Sequence, residues 1–176
     1  MQQKIVITGG PGTGKTMIVD ELINRNYKCM SEISREVTLK ARENGTEQLF
    51  LTEPLRFSQL LLEGRLNQYH EADKYKEKMV FFDRGIPDVH SYMNFFKTAF
   101  PNIYIESSNI YRYTHIFLLP PWEEIYTSDN ERYETYEESL EIHEHLKDGY
   151  TNCGYKVIVV PYGTVAERTD YILNSL

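Results

Sequence analysis

Only two cysteines, Cys29 and Cys153, occur in 176 residues, far apart and without a C-x-x-C spacing. That scarcity argues against a disulfide framework or a cysteine zinc site and predicts two small, buried thiols. A basic excess is missing as well. Lys and Arg number 19 against 26 Asp and Glu, for a formal net charge of −7. Such a balance disfavours a nucleic-acid or anionic-membrane footprint over the whole surface, although local basic patches stay compatible with it. No apolar run approaches the roughly 18 residues of a membrane-spanning helix. The N-terminus runs straight into an apolar strand, so no signal peptide is expected, and a soluble, cytoplasmic protein is the reading. Repeats, linkers and low-complexity tracts are lacking too, which predicts one domain over 1–176.

What is there begins at once. Ile5-Val6-Ile7 leads into Gly9-Gly10-Pro11-Gly12-Thr13-Gly14-Lys15-Thr16, which fits G-x-x-x-x-G-K-[ST]. Glycines let a loop of backbone N–H groups wrap phosphates, a lysine reaches the β- and γ-phosphates, and a hydroxyl ligates Mg²⁺ at the start of a helix. Gly10, Pro11, Gly12, Thr13, Gly14, Lys15 and Thr16 are therefore the expected nucleotide-binding residues. ATP or GTP with Mg²⁺ is the expected cofactor set. The N-K-x-D motif that would single out guanine is missing, so the base stays open.

Apolar runs alternate with helical patterns along the rest of the chain, as in a parallel α/β sheet. Strands are predicted at 4–8, 27–31, 78–82, 114–119 and 155–160. Helices are predicted at about 14–26, 33–44, 54–75, 130–150 and 164–176, with a polar break over 45–52. The stretch between the third and fourth strands is rich in aromatics: Tyr92, Phe95, Phe96, Phe100, Tyr104 and Tyr111. These rings either build core contacts or line a substrate pocket.

Met79-Val80-Phe81-Phe82-Asp83 is an apolar strand ending in a carboxylate. In a parallel sheet that end faces the ligand crevice, so Asp83 is a candidate Mg²⁺ ligand or proton acceptor. Arg84 follows, suited to a substrate group or a phosphoryl oxygen. After the second strand, Glu32 either faces an acceptor substrate or caps a helix, and Arg35 either binds substrate or pairs with Glu32 or Glu36. After the fourth strand, Pro120-Pro121-Trp122 and a charged segment open a helical lid region of about 120–150. There Arg132 either closes on the γ-phosphate or pairs with neighbouring glutamates. The acidic run from Glu131 to Glu144 reads as a solvated helix face, and His143 and His145, two apart, do not share a metal readily. Thr164 either caps the last helix or belongs to a turn bordering the nucleotide base.

Together these segments resemble the AAA-type P-loop family that includes the ribosylnicotinamide kinase domain of NadR. The resemblance rests on Gly9–Thr16, Ser31-Glu32-Ile33-Ser34-Arg35-Glu36, Phe82-Asp83-Arg84-Gly85, Leu118-Leu119-Pro120-Pro121-Trp122, Asp129 through Arg132, and Val160-Pro161 with Arg168. It implies a three-layer α/β P-loop NTPase fold of the nucleoside/nucleotide-kinase type. In that fold a five-stranded parallel sheet of order 2-3-1-4-5 carries helices on both faces. It also implies Arg168 near the nucleotide. No second helical domain fits after the core, so a ring-forming unfoldase is not expected.

Two functions follow as expectations. One is a kinase passing the γ-phosphoryl group to a small nucleoside- or riboside-like hydroxyl acceptor. Lys15, Asp83, Glu32 and Arg132 would be its catalytic groups, and Glu32, Arg35 and Arg84 would contact the acceptor. The other is a slow regulatory NTPase that engages a protein or lipid partner.

Overall fold

The computed structural model describes residues 2–126 and 134–176. Five strands make one all-parallel sheet: β1 Gln3–Gly9, β2 Lys28–Met30, β3 Met79–Asp83, β4 His115–Leu119 and β5 Val157–Val159, in the spatial order β2-β3-β1-β4-β5. The helices are α1 Lys15–Asn24, α2 Ile33–Glu43, α3 Leu49–Thr52, α4 Pro54–Ala72, α5 Ile86–Phe95, α6 Ile103–Ile110, α7 Tyr136–Asn152 and α8 Val165–Asn174. A 3₁₀ turn, Glu123–Ile125, follows β4.

The continuous apolar runs of the central strands are the mark of a sheet covered on both faces. Side chains alternate along β1: Ile5 and Ile7 join Ile18 and Leu22 of α1 and Ile172 of α8 in one core cluster. Val6 points the other way, into a larger cluster with Leu61 and Leu62 of α4, Val89 and Met93 of α5 and Tyr150 of α7. Three layers result, with the phosphate loop at the C-terminal edge of the middle strand. Register places Ile7 of β1 beside Asp83 of β3, and Gly9 beside Leu119 of β4. The ends of three strands thus converge on one crevice, where open α/β sheets bind ligands.

Two expectations need correction. The segment 45–52 is not wholly a polar break, because Leu49-Phe50-Leu51 folds as α3 and buries Leu49. Within the expected helical lid region of 120–150, the helix α7 runs from Tyr136. Thr135 caps α7, its side chain accepting from the Glu138 N–H, and from there the helix buries Ile142, Leu146 and Tyr150 against the sheet. A helix anchored by three fully buried side chains does not swing as a lid. Tyr126 and Ile125, ahead of that helix, approach Gly12 and Gly14 of the phosphate loop, and Ser139 and Ile142 of α7 approach Gly10.

Candidate active site

The phosphate loop is shaped by its glycines. Gly12 and Gly14 sit at φ 71° and 77°, a left-handed conformation that other L-residues adopt at a cost. Space is short as well: a Cβ on Gly12 would lie 2.4 Å from the Tyr126 ring, and one on Gly14 3.0 Å from Arg168 Nη1. The Thr13 hydroxyl donates to the Gly10 carbonyl at 3.0 Å, and Arg168 Nη1 donates to the Thr13 carbonyl at 3.0 Å. Arg168, buried on α8, therefore props the loop from behind and pairs with no acid among the described residues. Its guanidinium also lies over the Trp122 ring, 5.8 Å from the centroid.

Lys15 opens α1 and is buried. Its Nζ lies 2.7 Å from Asp83 Oδ1 and 3.2 Å from Glu32 Oε2. Glu32 gathers two further cations: Arg84 Nε at 3.0 Å and, more loosely, Arg65 Nη2 at 3.7 Å from Oε1. Burial pushes the Glu32 carboxyl up, but Arg84, Lys15 and Arg65 outweigh it and hold the group well below the usual carboxylate range. Arg84 reaches this position because its backbone is turned into the left-handed region at φ 71°. A non-glycine residue held there costs about 1–2 kcal/mol. The turn is fixed by its own N–H, which donates to the Ile7 carbonyl at 3.0 Å. Arg84 also spans to Asp88 Oδ1 at 3.3 Å.

Two cavities meet at Glu32. The smaller, about 240 Å³, is lined by Thr16, Asp20, Ser31, Glu32, Arg35 and Asp83. The larger is a cleft of about 760 Å³ running from Pro11 of the phosphate loop between α2, α4 and α5. Its walls carry Phe57, Leu61, Tyr92, Phe95 and Phe96, and its polar end carries Glu32, Arg65, Arg84 and Asp88. Of the six aromatics left open by the sequence, Tyr92, Phe95 and Phe96 line this cleft, whereas Phe100, Tyr104 and Tyr111 pack into the core.

Lys15, Glu32, Asp83 and Arg84 thus lie in one linked cluster, with Thr16 and Arg35 on the wall of the smaller cavity. Glu32 spends its ion pairs on Lys15, Arg84 and Arg65, while Glu36 pairs with Lys40 at 2.5 Å. Arg132 lies outside the described residues. Thr164 caps α8, its hydroxyl accepting from the Glu167 N–H.

Two residues escaped the sequence reading. Asp88 is 1% exposed and its carboxylate accepts from the Thr8 and Tyr150 hydroxyls, the Gly85 N–H and Arg84. Arg65 is 2% exposed on the cleft-facing side of α4. A signal existed for Arg65: it lies four residues after Leu61 and three after Leu62, so helical spacing puts a charge on the apolar face.

Comparison with known proteins bears on the fold. The family model described as the AAA domain matches residues 4–168. The chain belongs to this AAA domain family. No curated protein matches it. Among solved structures, the deoxyadenosine kinase from M. mycoides with products dCMP and a flexible dCDP bound is 18% identical. The alignment covers 98% of each chain at a TM-score of 0.73. The same kinase with bound dATP aligns at 16% identity and TM-score 0.67, again over 98% of both chains. NadR in complex with NR aligns at 19% identity and TM-score 0.76, over 98% of this chain and 51% of that one. At these identities the likeness establishes a P-loop NTPase fold.

Proposed function

We propose that the protein is a small-molecule kinase that transfers the γ-phosphoryl group of ATP or GTP to a hydroxyl of a nucleoside- or riboside-like acceptor. One observation carries the reading. Glu32 stands where the small cavity beside Thr16 and Asp83 meets a cleft of about 760 Å³, a volume that suits a metabolite of this size. The solved structures with this fold include a deoxyadenosine kinase and NadR in complex with NR, in keeping with that chemistry.

The roles follow from position. The loop amides and Lys15 would neutralise the triphosphate, drawing Lys15 off Asp83 and Glu32. Relieved of one of its cations, the Glu32 carboxylate would gain basicity and take the proton of the acceptor hydroxyl. The hydroxyl oxygen bonds to the γ-phosphorus as the bond from phosphorus to the bridging oxygen breaks, and the nucleoside diphosphate leaves. Arg84 would hold Glu32 and face the transferring oxygens, and Arg35 and Arg84 would contact the acceptor. Arg132 is the proposed closing arginine, and Arg168 would keep the loop in register beside the nucleotide. Catalysis of this kind is mostly positioning and charge stabilisation.

The oxygen donors of Thr16 and Asp83 share one small cavity and fit Mg²⁺, which takes one or two protein ligands and completes its shell with phosphates and water. Among the described residues no group of three or more His, Cys, Asp or Glu could hold a metal ion. When bound, Mg²⁺ offsets charge between the β- and γ-phosphates.

The alternative, a regulatory NTPase with a protein or lipid partner, draws on the acidic, Tyr-rich lid segment and on the absence of a self-evident acceptor pocket, and the cleft weakens the second ground. The test is a screen of nucleosides, ribosides and sugars with ATP or GTP and Mg²⁺, read by mass spectrometry for phosphorylated acceptor. Acceptor-dependent product is expected. Tight nucleotide binding with no phosphorylated product in the whole panel would overturn the proposal.

A further inference from the structure

The fold treats two of the four charged groups at the polar end of the cleft unequally. Asp88 receives four protein donors and needs nothing more. Arg65 is equally buried, yet its Nε and Nη1 have no hydrogen-bond partner among the described residues. Its remaining contact, Nη2 to Glu32 Oε1, is an ion pair at 3.7 Å, too long for a hydrogen bond, and Oε1 accepts none. A guanidinium offers five donors and no acceptor, and each buried donor left unmade costs about 1–3 kcal/mol. A ligand bringing acceptors to Arg65 offsets that cost. The same cleft is walled by Tyr92, Phe95 and Phe96, which suit the faces of a flat ring.

We propose that Arg65 determines specificity in this cleft by donating to an acceptor-only edge of a heterocycle, an oxo oxygen beside a ring nitrogen. The proposal rests on the kinase reading for the identity of the cleft, though not for the binding it predicts. The planar fork of arginine matches such an edge with two parallel hydrogen bonds, as it does O6 and N7 of a 6-oxopurine. A 6-amino group at the same place presents a donor to a donor and leaves both unpaired. Discrimination of this type is worth about 1–3 kcal/mol, so roughly tenfold or more in affinity.

Inosine and adenosine probe this edge directly, since they share a ribose and an N7 and differ in the oxo or amino group. Calorimetric titration of each into the full chain is expected to show inosine binding at least about tenfold more tightly. Arg65→Met should bring the two within about twofold without loss of the folded circular dichroism spectrum. If Arg65→Met fails to fold, Arg65→Lys carries the test, because an ammonium keeps the charge but not the fork. Equal binding by the wild type, a preference for adenosine, a preference that survives both variants, or no binding of either nucleoside at millimolar concentration would each overturn the proposal. Turnover with ATP and Mg²⁺ separates the two claims. Inosine-selective binding without phosphoryl transfer contradicts the kinase reading alone, whereas transfer to both nucleosides with equal kcat/KM contradicts the role of Arg65 alone.

Discussion

Asp88 and Arg65 line the same cleft, and the difference between them separates what holds this protein together from what it leaves for a ligand. Asp88 is enclosed by donors from β1, α7 and the turn before α5, so its charge is spent inside the fold. Arg65 keeps open donors on α4, with Glu32 as a distant counter-ion. A buried network that is fully satisfied stiffens a structure, whereas one left partly open carries a cost that a further acceptor would relieve.

The contrast predicts that substitutions on the two sides fail in different ways. Asp88→Asn should be the most damaging to stability. It leaves Arg84 with half its counter-charge and puts an amide against four donors, for a loss of about 3–5 kcal/mol by chemical denaturation. A loss below about 1 kcal/mol would mean that Asp88 is not the tie described. Arg65→Met should stay within about 1.5 kcal/mol of the wild type in the same measurement, because an apolar chain removes open donors rather than made bonds. If it matched Asp88→Asn, the two sides would be alike and the comparison would fail.

Acid should affect the cluster through Glu32. Its carboxyl is held below the ordinary value of 4.5 by Arg84, Lys15 and Arg65 against the opposing effect of burial. The ionised group therefore contributes stability that is fully present above its unfolded value and is lost as pH falls below about 4.5 toward the folded value. Melting temperature plotted from pH 6 to pH 3 should fall steeply in the wild type and less steeply in Glu32→Gln. Parallel curves would contradict the cation cluster. Tyr150→Phe removes one donor from Asp88 and should cost about 1–2 kcal/mol with substrate affinity little changed. Smallest is Thr164→Ala at the α8 cap, remote from the cleft, at about 1 kcal/mol and with unaltered nucleotide binding.

The same two residues show how far the sequence could be read. The phosphate loop is legible because its residues are contiguous and its turns demand glycine at 12 and 14. The strands are legible because Ile5-Val6-Ile7 and Val80-Phe81-Phe82 are apolar without alternation, and Asp83 closes its run. Glu32 and Arg84 could be placed near the crevice, since strand ends gather there in any parallel sheet. The partners of Asp88 could not be foreseen: Thr8 and Tyr150 lie 80 and 62 residues away, and nothing local selects them. Arg65 was hidden for another reason. The helix around it is recognised by its leucines, and a charge among them is readily assigned to the solvent side unless each position is tracked at 3.6 residues per turn. The glutamates of α7 mark its solvated face, whereas Ile142, Leu146 and Tyr150, legible only at helical spacing, tie that helix down.

The central claim is that Glu32 takes a proton from an acceptor hydroxyl lying between the phosphate loop and the cleft. Comparing Glu32→Gln with the wild type, under saturating ATP and Mg²⁺ with an acceptor found in the screen, tests it most directly. The account predicts a fall in kcat of about 10²–10⁴-fold, with nucleotide binding within a few-fold of the wild type. Phosphorylated product formed by Glu32→Gln at an undiminished rate would contradict it.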